Sequence, residues 1–152
     1  MSRRTKRPAR PARPARPARP AAESPGPKAC PCGLSAAYAE CCGRYHAGTA
    51  AAPTAEALMR SRFSAFAVQD GPYLLRTWHP DTRPARLDLD PGMRWTRLEI
   101  LGTTDGSAFH STGTVTFRAH YTHGAEAGSL HEQSRFSRVE GSWVYLDAVF
   151  AD

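Results

Sequence analysis

Thr114-Val115-Thr116-Phe117-Arg118-Ala119-His120-Tyr121 is the stretch that decides the fold. Val115, Phe117, Ala119 and Tyr121 alternate with Thr116, Arg118 and His120. Period two with one apolar side is the signature of a strand that lays one face on a core and the other in water. Downstream, residues 130–139 and 143–150 flank Glu140-Gly141, a two-residue hairpin signal. That turn predicts Val139 opposite Ser142, Phe136 opposite Tyr145, and Ser134 opposite Asp147. Glu132, Ser134, Phe136, Tyr145 and Asp147 then share one face. Upstream, residues 94–101 read as a further strand.

Before residue 93 the period changes. Thr54 is placed to cap a helix with Glu56 in its first turn, and Met59, Phe63 and Phe66 recur at helical spacing. Gln69-Asp70-Gly71 stops that helix. A shorter helix is predicted from about Pro72 to His79-Pro80, followed by a connector over residues 83–92. Helices followed by antiparallel strands predict an α+β fold. In it, N-terminal helices pack on a curved, cone-like sheet with a pocket between the two layers, over residues 53–152.

Charge is distributed unevenly over the 152 residues. Residues 1–29 hold nine Lys/Arg against one Glu, whereas residues 30–152 hold eleven Arg against thirteen acids. The basic character belongs to a Pro-Ala-Arg repeat over residues 7–20, which has nothing larger than Ala to bury and is expected to be a disordered tail. A spacing of three would align its arginines along a polyproline helix, giving weak contact with nucleic acid or the ribosome surface; a plain solvated extension is the other reading. The acidic remainder argues against a globular nucleic-acid-binding core. No apolar run approaches the ~18 residues that span a bilayer, so no membrane role is expected. Arg3-Arg4 is followed by Pro and Arg rather than an apolar export segment, which predicts a cytoplasmic protein.

All four cysteines fall within thirteen residues: Cys30-Pro31-Cys32, then Cys41-Cys42. Disulfides here would have to close very tight loops. Four soft ligands on a short segment suit a tetrahedral zinc site over residues 30–46, whose binding would fold a stretch too poor in large apolar residues to fold alone. Gly33 and Gly43 are expected where the chain turns around the metal, and Tyr38 is expected to pack over it. Free thiols or a redox switch are the alternatives.

Cys30-Pro31-Cys32-Gly33, Tyr38 and Cys41-Cys42-Gly43 resemble the SEC-C motif, a small zinc knuckle found at the C-terminus of the preprotein translocase ATPase and in many bacterial proteins. The resemblance implies Cys30, Cys32, Cys41 and Cys42 as ligands to a structural zinc, with His46 as a substitute. Gly33-Leu34-Ser35-Ala36-Ala37 lacks the two lysines usual before the Tyr, which weakens any implied binding to acidic partners. Leu58-Met59-Arg60-Ser61-Arg62-Phe63-Ser64-Ala65-Phe66, Tyr73-Leu74-Leu75-Arg76-Thr77-Trp78-His79-Pro80, His131-Glu132-Gln133-Ser134-Arg135-Phe136 and Gly141-Ser142-Trp143-Val144-Tyr145-Leu146-Asp147 are similar to the YchJ-type bacterial family. That resemblance implies a knuckle joined to a cystatin-like cone of the nuclear-transport-factor-two type, and leaves its biochemical activity open.

Within such a cone Asp147 stands out, a carboxylate in the apolar run Trp143-Val144-Tyr145-Leu146-Asp147-Ala148-Val149-Phe150. Buried, it must be paired or hold its proton. Glu132 shares its predicted face; Arg60, Arg62 and Arg135 are candidate partners, Trp78 and Tyr145 candidate binding residues, and His79 a candidate at the pocket mouth. Two readings follow. One is a zinc-binding adaptor or small-ligand-binding protein, whose Arg–carboxylate network ties helix to sheet. The other is a small cofactor-independent isomerase or hydrolase with Asp147 or Glu132 as general base. No Gly-x-Ser-x-Gly elbow, phosphate loop or His-Glu-x-x-His helix supplies a complete catalytic set. A protein segment, a small ligand and a second copy paired through the sheet are the expected partners.

Overall fold

The computed structural model describes residues 28–150, so the expected 1–29 tail lies outside the described residues except for Lys28 and Ala29. A short hairpin, closed by a bridge between Ala29 and Ala37, leads into a single 3-10 turn at Tyr38–Glu40 and helix α1 at Cys42–Ala47. Helices α2 (Ala55–Val68) and α3 (Gly71–Arg76) follow. Four strands complete the fold: β1 (Met93–Asp105), β2 (Thr112–His123), β3 (Glu126–Val139) and β4 (Ser142–Phe150). The strands form one open antiparallel sheet in the order β1-β2-β3-β4, the α+β architecture expected from the change of period.

Local chemistry sets the helix boundaries. Thr54 Oγ1 accepts the Ala57 amide at 3.0 Å and caps α2. Gln69, at φ 61°, ends the helix in the left-handed region. Asp70 then caps α3 by accepting the Tyr73 amide at 3.1 Å. That second helix stops at Arg76 rather than running to His79-Pro80, because residues 77–79 leave it to pair with the free edge of β4. The Tyr145 amide donates to Thr77 O at 2.8 Å, and the His79 amide donates to Tyr145 O at 2.7 Å.

α2 lays Leu58, Met59 and Phe63 on the sheet face formed by Val115, Phe117, Ala119, Phe136 and Trp143. β1 runs four residues beyond the expected end, since Thr103, Thr104 and Asp105 pair with Val115, Thr114 and Gly113 without an apolar alternation to announce them. Irregular pairing between Trp95 and Arg97 and between Ile100 and Gly102 bends the sheet over the helix.

The Glu140-Gly141 hairpin forms as its sequence predicts, with φ of 52° and 85°, the two positive values of a type I′ turn. Val139 pairs with Ser142 and Phe136 with Tyr145. The next pair departs from expectation: Arg135 faces Asp147 and Ser134 faces Ala148, leaving Leu146 as an extra residue in β4. One extra residue reverses the parity of everything beyond it. Asp147 therefore lies on the outer face, not beside Glu132. The cause lies on the other edge of β4, where Tyr145 is held by residues 77–79 and Leu146 O accepts from Thr82 Oγ1 at 2.7 Å.

Candidate metal centre and pocket

The hairpin and α1 bring Cys30, Cys32, Cys41 and Cys42 together, all buried, with their Sγ atoms within 4.8 Å of one another. Cys32 Sγ and Cys41 Sγ are 3.7 Å apart. A tetrahedral zinc with Zn–S bonds of about 2.3 Å holds its sulfurs about 3.8 Å apart, so donor set and spacing both fit such an ion. The thiols cannot all ionise by themselves. A hydrogen bond from Cys42 lowers Cys32 to about 5. Burial raises Cys41 to about 11, and the bond shared with Cys32 pushes Cys42 up. A divalent cation removes this conflict by accepting all four as thiolates.

Gly33 makes the turn after the first cysteine pair at φ 95°. Gly43 serves a different purpose from the expected turn: it sits in α1, where a Cβ would meet Tyr38 O at 2.7 Å. Tyr38 packs on the cysteines, and its hydroxyl donates to His46 Nδ1 at 2.6 Å. His46 Nε2 donates to Ser61 O at 2.8 Å. With both nitrogens committed, His46 is a brace between knuckle and α2 rather than a substitute ligand.

Arg60 also points to the knuckle, donating from Nη1 to Cys32 O at 2.8 Å and from Nε to Glu56 Oε2 at 3.0 Å. Ser64 Oγ lies 3.5 Å from Cys30 Sγ. Reasoning from the sequence missed Ser61 and Ser64. Their spacing of three on a helix, beside the apolar Leu58 and Ala65, was the available signal, and the structure buries both fully.

A cavity of about 230 Å³ opens between α2 and the sheet. Arg62, Trp78, Glu132 and Tyr145 line it, together with Ser134 and an apolar wall. Arg62 is only 4% exposed. It donates from Nη1 to Leu74 O at 2.8 Å and to Thr77 Oγ1 at 2.7 Å, not to a carboxylate. Its guanidinium carbon lies 4.6 Å from the Tyr145 ring centre and 5.1 Å from that of Trp78. Burial lowers its pKa to about 10. Burial also raises the Glu132 carboxyl, and burial followed by the Glu132 charge raises Tyr145. The buried Trp78 Nε1 has no acceptor among the described residues.

The other expected pocket residues lie elsewhere. Arg60 faces the knuckle. Asp147 takes a bidentate pair from Arg135, at 2.6 Å to each oxygen, with side chains 42% and 53% exposed respectively. Those bonds hold Asp147 below the usual carboxylate range. The ring of His79 accepts the Asp81 amide at 3.0 Å and lies outside the cavity wall. His120 and His123 diverge to Glu99 and Asp90. Among the described residues no helix is long and apolar enough to cross a membrane.

Comparison with known proteins adds four findings. Residues 54–148 match the family described as the YchJ middle NTF2-like domain. A UPF0225 protein of Streptomyces coelicolor is 72% identical over 123 residues, covering 81% of this chain and 96% of that one. A SEC-C motif containing protein from Rhodopseudomonas palustris, solved in solution, superposes with a TM-score of 0.72 at 34% identity, over 82% of this chain and 99% of that one. The crystal structure of a SEC-C motif containing protein from Psychrobacter arcticus gives 0.67 at 27% identity, over 82% and 84%.

Proposed function

The chain belongs to the YchJ-type UPF0225 family, and from that premise we propose that it is a small-ligand-binding protein stabilised by a structural zinc. The observation that carries this reading is the division of labour across α2. Four converging thiols saturate a tetrahedral ion, which leaves no open position for substrate, so the metal organises structure and does no chemistry. The other side of the helix borders a cavity with an apolar wall and a few polar groups, the composition of a ligand site.

Reduced thiols kept for a metal fit a reducing compartment, and the cytoplasm is the proposed location. The isomerase or hydrolase reading loses Asp147 to the outer face and retains Glu132, with no second carboxyl and no imidazole among the residues that line the cavity. Binding is therefore the function the geometry supports best.

Native mass spectrometry of protein purified without added metal tests this. One zinc per chain, lost on denaturation, together with a reproducible small-molecule adduct, is the expected result. A chain that carries no metal and no adduct, and whose four cysteines are oxidised in pairs, would overturn it.

A further inference from the structure

We propose that the cavity beneath Trp78 takes a small monocarboxylic acid with a flat or branched apolar body, its carboxylate received by Arg62 and by Trp78 Nε1. The assignment rests on the small-ligand reading above and names the class of ligand. Among the described residues, two groups in the cavity wall lack the partners that burial demands. Arg62 is almost wholly buried, yet its hydrogen bonds leave only from Nη1 and reach a carbonyl and a hydroxyl. A buried cation without a counter-charge is costly. Trp78 Nε1 is a buried donor with no acceptor, and such orphans are rare in folded proteins. The side chains of both residues border the same cavity; Nε1 itself is covered, and an acceptor reaches it once the indole turns toward the ligand.

One carboxylate answers both needs. It brings the missing negative charge, its planar oxygens match a guanidinium fork, and it has lone pairs to spare for an indole N–H. The rest of the wall sets the body of the ligand. Met59, Phe63, Phe66, Trp95, Phe117 and Leu130 offer no polar partner and favour an aromatic or branched aliphatic group. The volume of about 230 Å³ corresponds to about eight water-sized groups, at about 30 Å³ each, the scale of a small acid. Glu132 limits the charge: a ligand with a second anionic group would meet a carboxyl on the same wall.

The experiment follows the indole N–H signals of the 15N-labelled full chain during titration with phenylacetate, phenylacetamide and phenethylamine. Phenylacetate is expected to move the Trp78 signal downfield and saturably, as a donor gaining an acceptor does. Trp143 Nε1, which already donates to Pro53 O at 3.2 Å, is expected to stay in place. Trp78→Phe assigns the signal, keeps an aromatic ring, and is expected to weaken phenylacetate about tenfold with the fold retained, read on the Trp95 signal. The amide is expected to bind at least about tenfold more weakly than the acid. Equal binding of acid and amide, or preference for the amine, would overturn the carboxylate assignment and leave the small-ligand reading standing. If none of the three moves the Trp78 or Trp95 signal at millimolar concentration, both fall.

Discussion

The two faces of α2 solve opposite problems. Toward the knuckle it meets four side chains of one kind, all from a thirteen-residue segment, converging on one point. Toward the sheet lies a mixed set: one cation of its own, one carboxyl, two indoles and one phenol, from five separated parts of the chain. In the first, every donor can be satisfied by a single ion. In the second, Arg62 and Trp78 Nε1 remain short of partners while the surrounding walls are packed. On the proposed reading, a convergent site that one ion would saturate builds structure, and a dispersed, unsatisfied one waits for a ligand.

The strongest way to break this contrast is to disrupt the four-cysteine centre and the metal proposed for it. Because Arg60, Ser61 and Ser64 join the knuckle to the helix that also builds the core, its loss should not stay local. Cys42→Ser, or chelation, is expected to cost at least about 3 kcal/mol, or about 10 °C in the midpoint of a single cooperative transition. Calorimetry showing an unchanged main transition and only a small separate one would mean that the knuckle is an appendage. Next in size is Arg62→Met. It strips the donor from Leu74 O and is expected to cost about 1–3 kcal/mol in urea unfolding. It should also abolish the phenylacetate response. A variant as stable as the parent that still binds the acid would remove Arg62 from the site.

The two faces also differ in how far they could be read from sequence. The knuckle was legible because its ligands are neighbours in the chain and their chemistry is specific. The sheet was legible in Val115, Phe117, Ala119 and Tyr121, where alternation and burial agree. The pocket was only half legible. Parity along β3 placed Glu132 and Ser134 inward, and the hairpin placed Tyr145. The same counting put Asp147 there, and it failed because Leu146 is set aside by pairing on the other edge of β4. That pairing partner, residues 77–79, lies over sixty residues away and was read as helix. Similarly, Arg60 and Arg62 stand two apart on one helix and must diverge, but that spacing does not say which of them turns to the knuckle. No local pattern carries contacts of that kind.

Glu132→Gln sharpens the pocket side through pH. Burial raises the Glu132 carboxyl in the folded chain above its unfolded value. Its protonated form therefore favours the fold, and that contribution is full below about pH 4 and is lost as pH rises through the folded pKa. The amide cannot ionise. Thermal melts are expected to show the variant slightly more stable than the parent at neutral pH, with the gap closing near about pH 4. A parent that gains on its variant as pH rises would mean the Glu132 carboxylate has a cation partner in the cavity.

The smallest expected effect tests the register on which the pocket depends. Arg135 and Asp147 face each other on the outer side of the sheet, joined by two hydrogen bonds yet both well exposed. Exposed ion pairs gain little, since solvent screens the attraction and two long side chains lose freedom to make it. Asp147→Ala should therefore leave the melting midpoint almost unchanged and the phenylacetate titration untouched. Had β4 run without its extra residue, Asp147 would sit beside Glu132, and the same substitution would disturb both stability and binding. A large loss in either measurement would move Leu146 back into the ladder and return Asp147 to the cavity, where its charge would satisfy Arg62 and remove the reason to expect an acidic ligand.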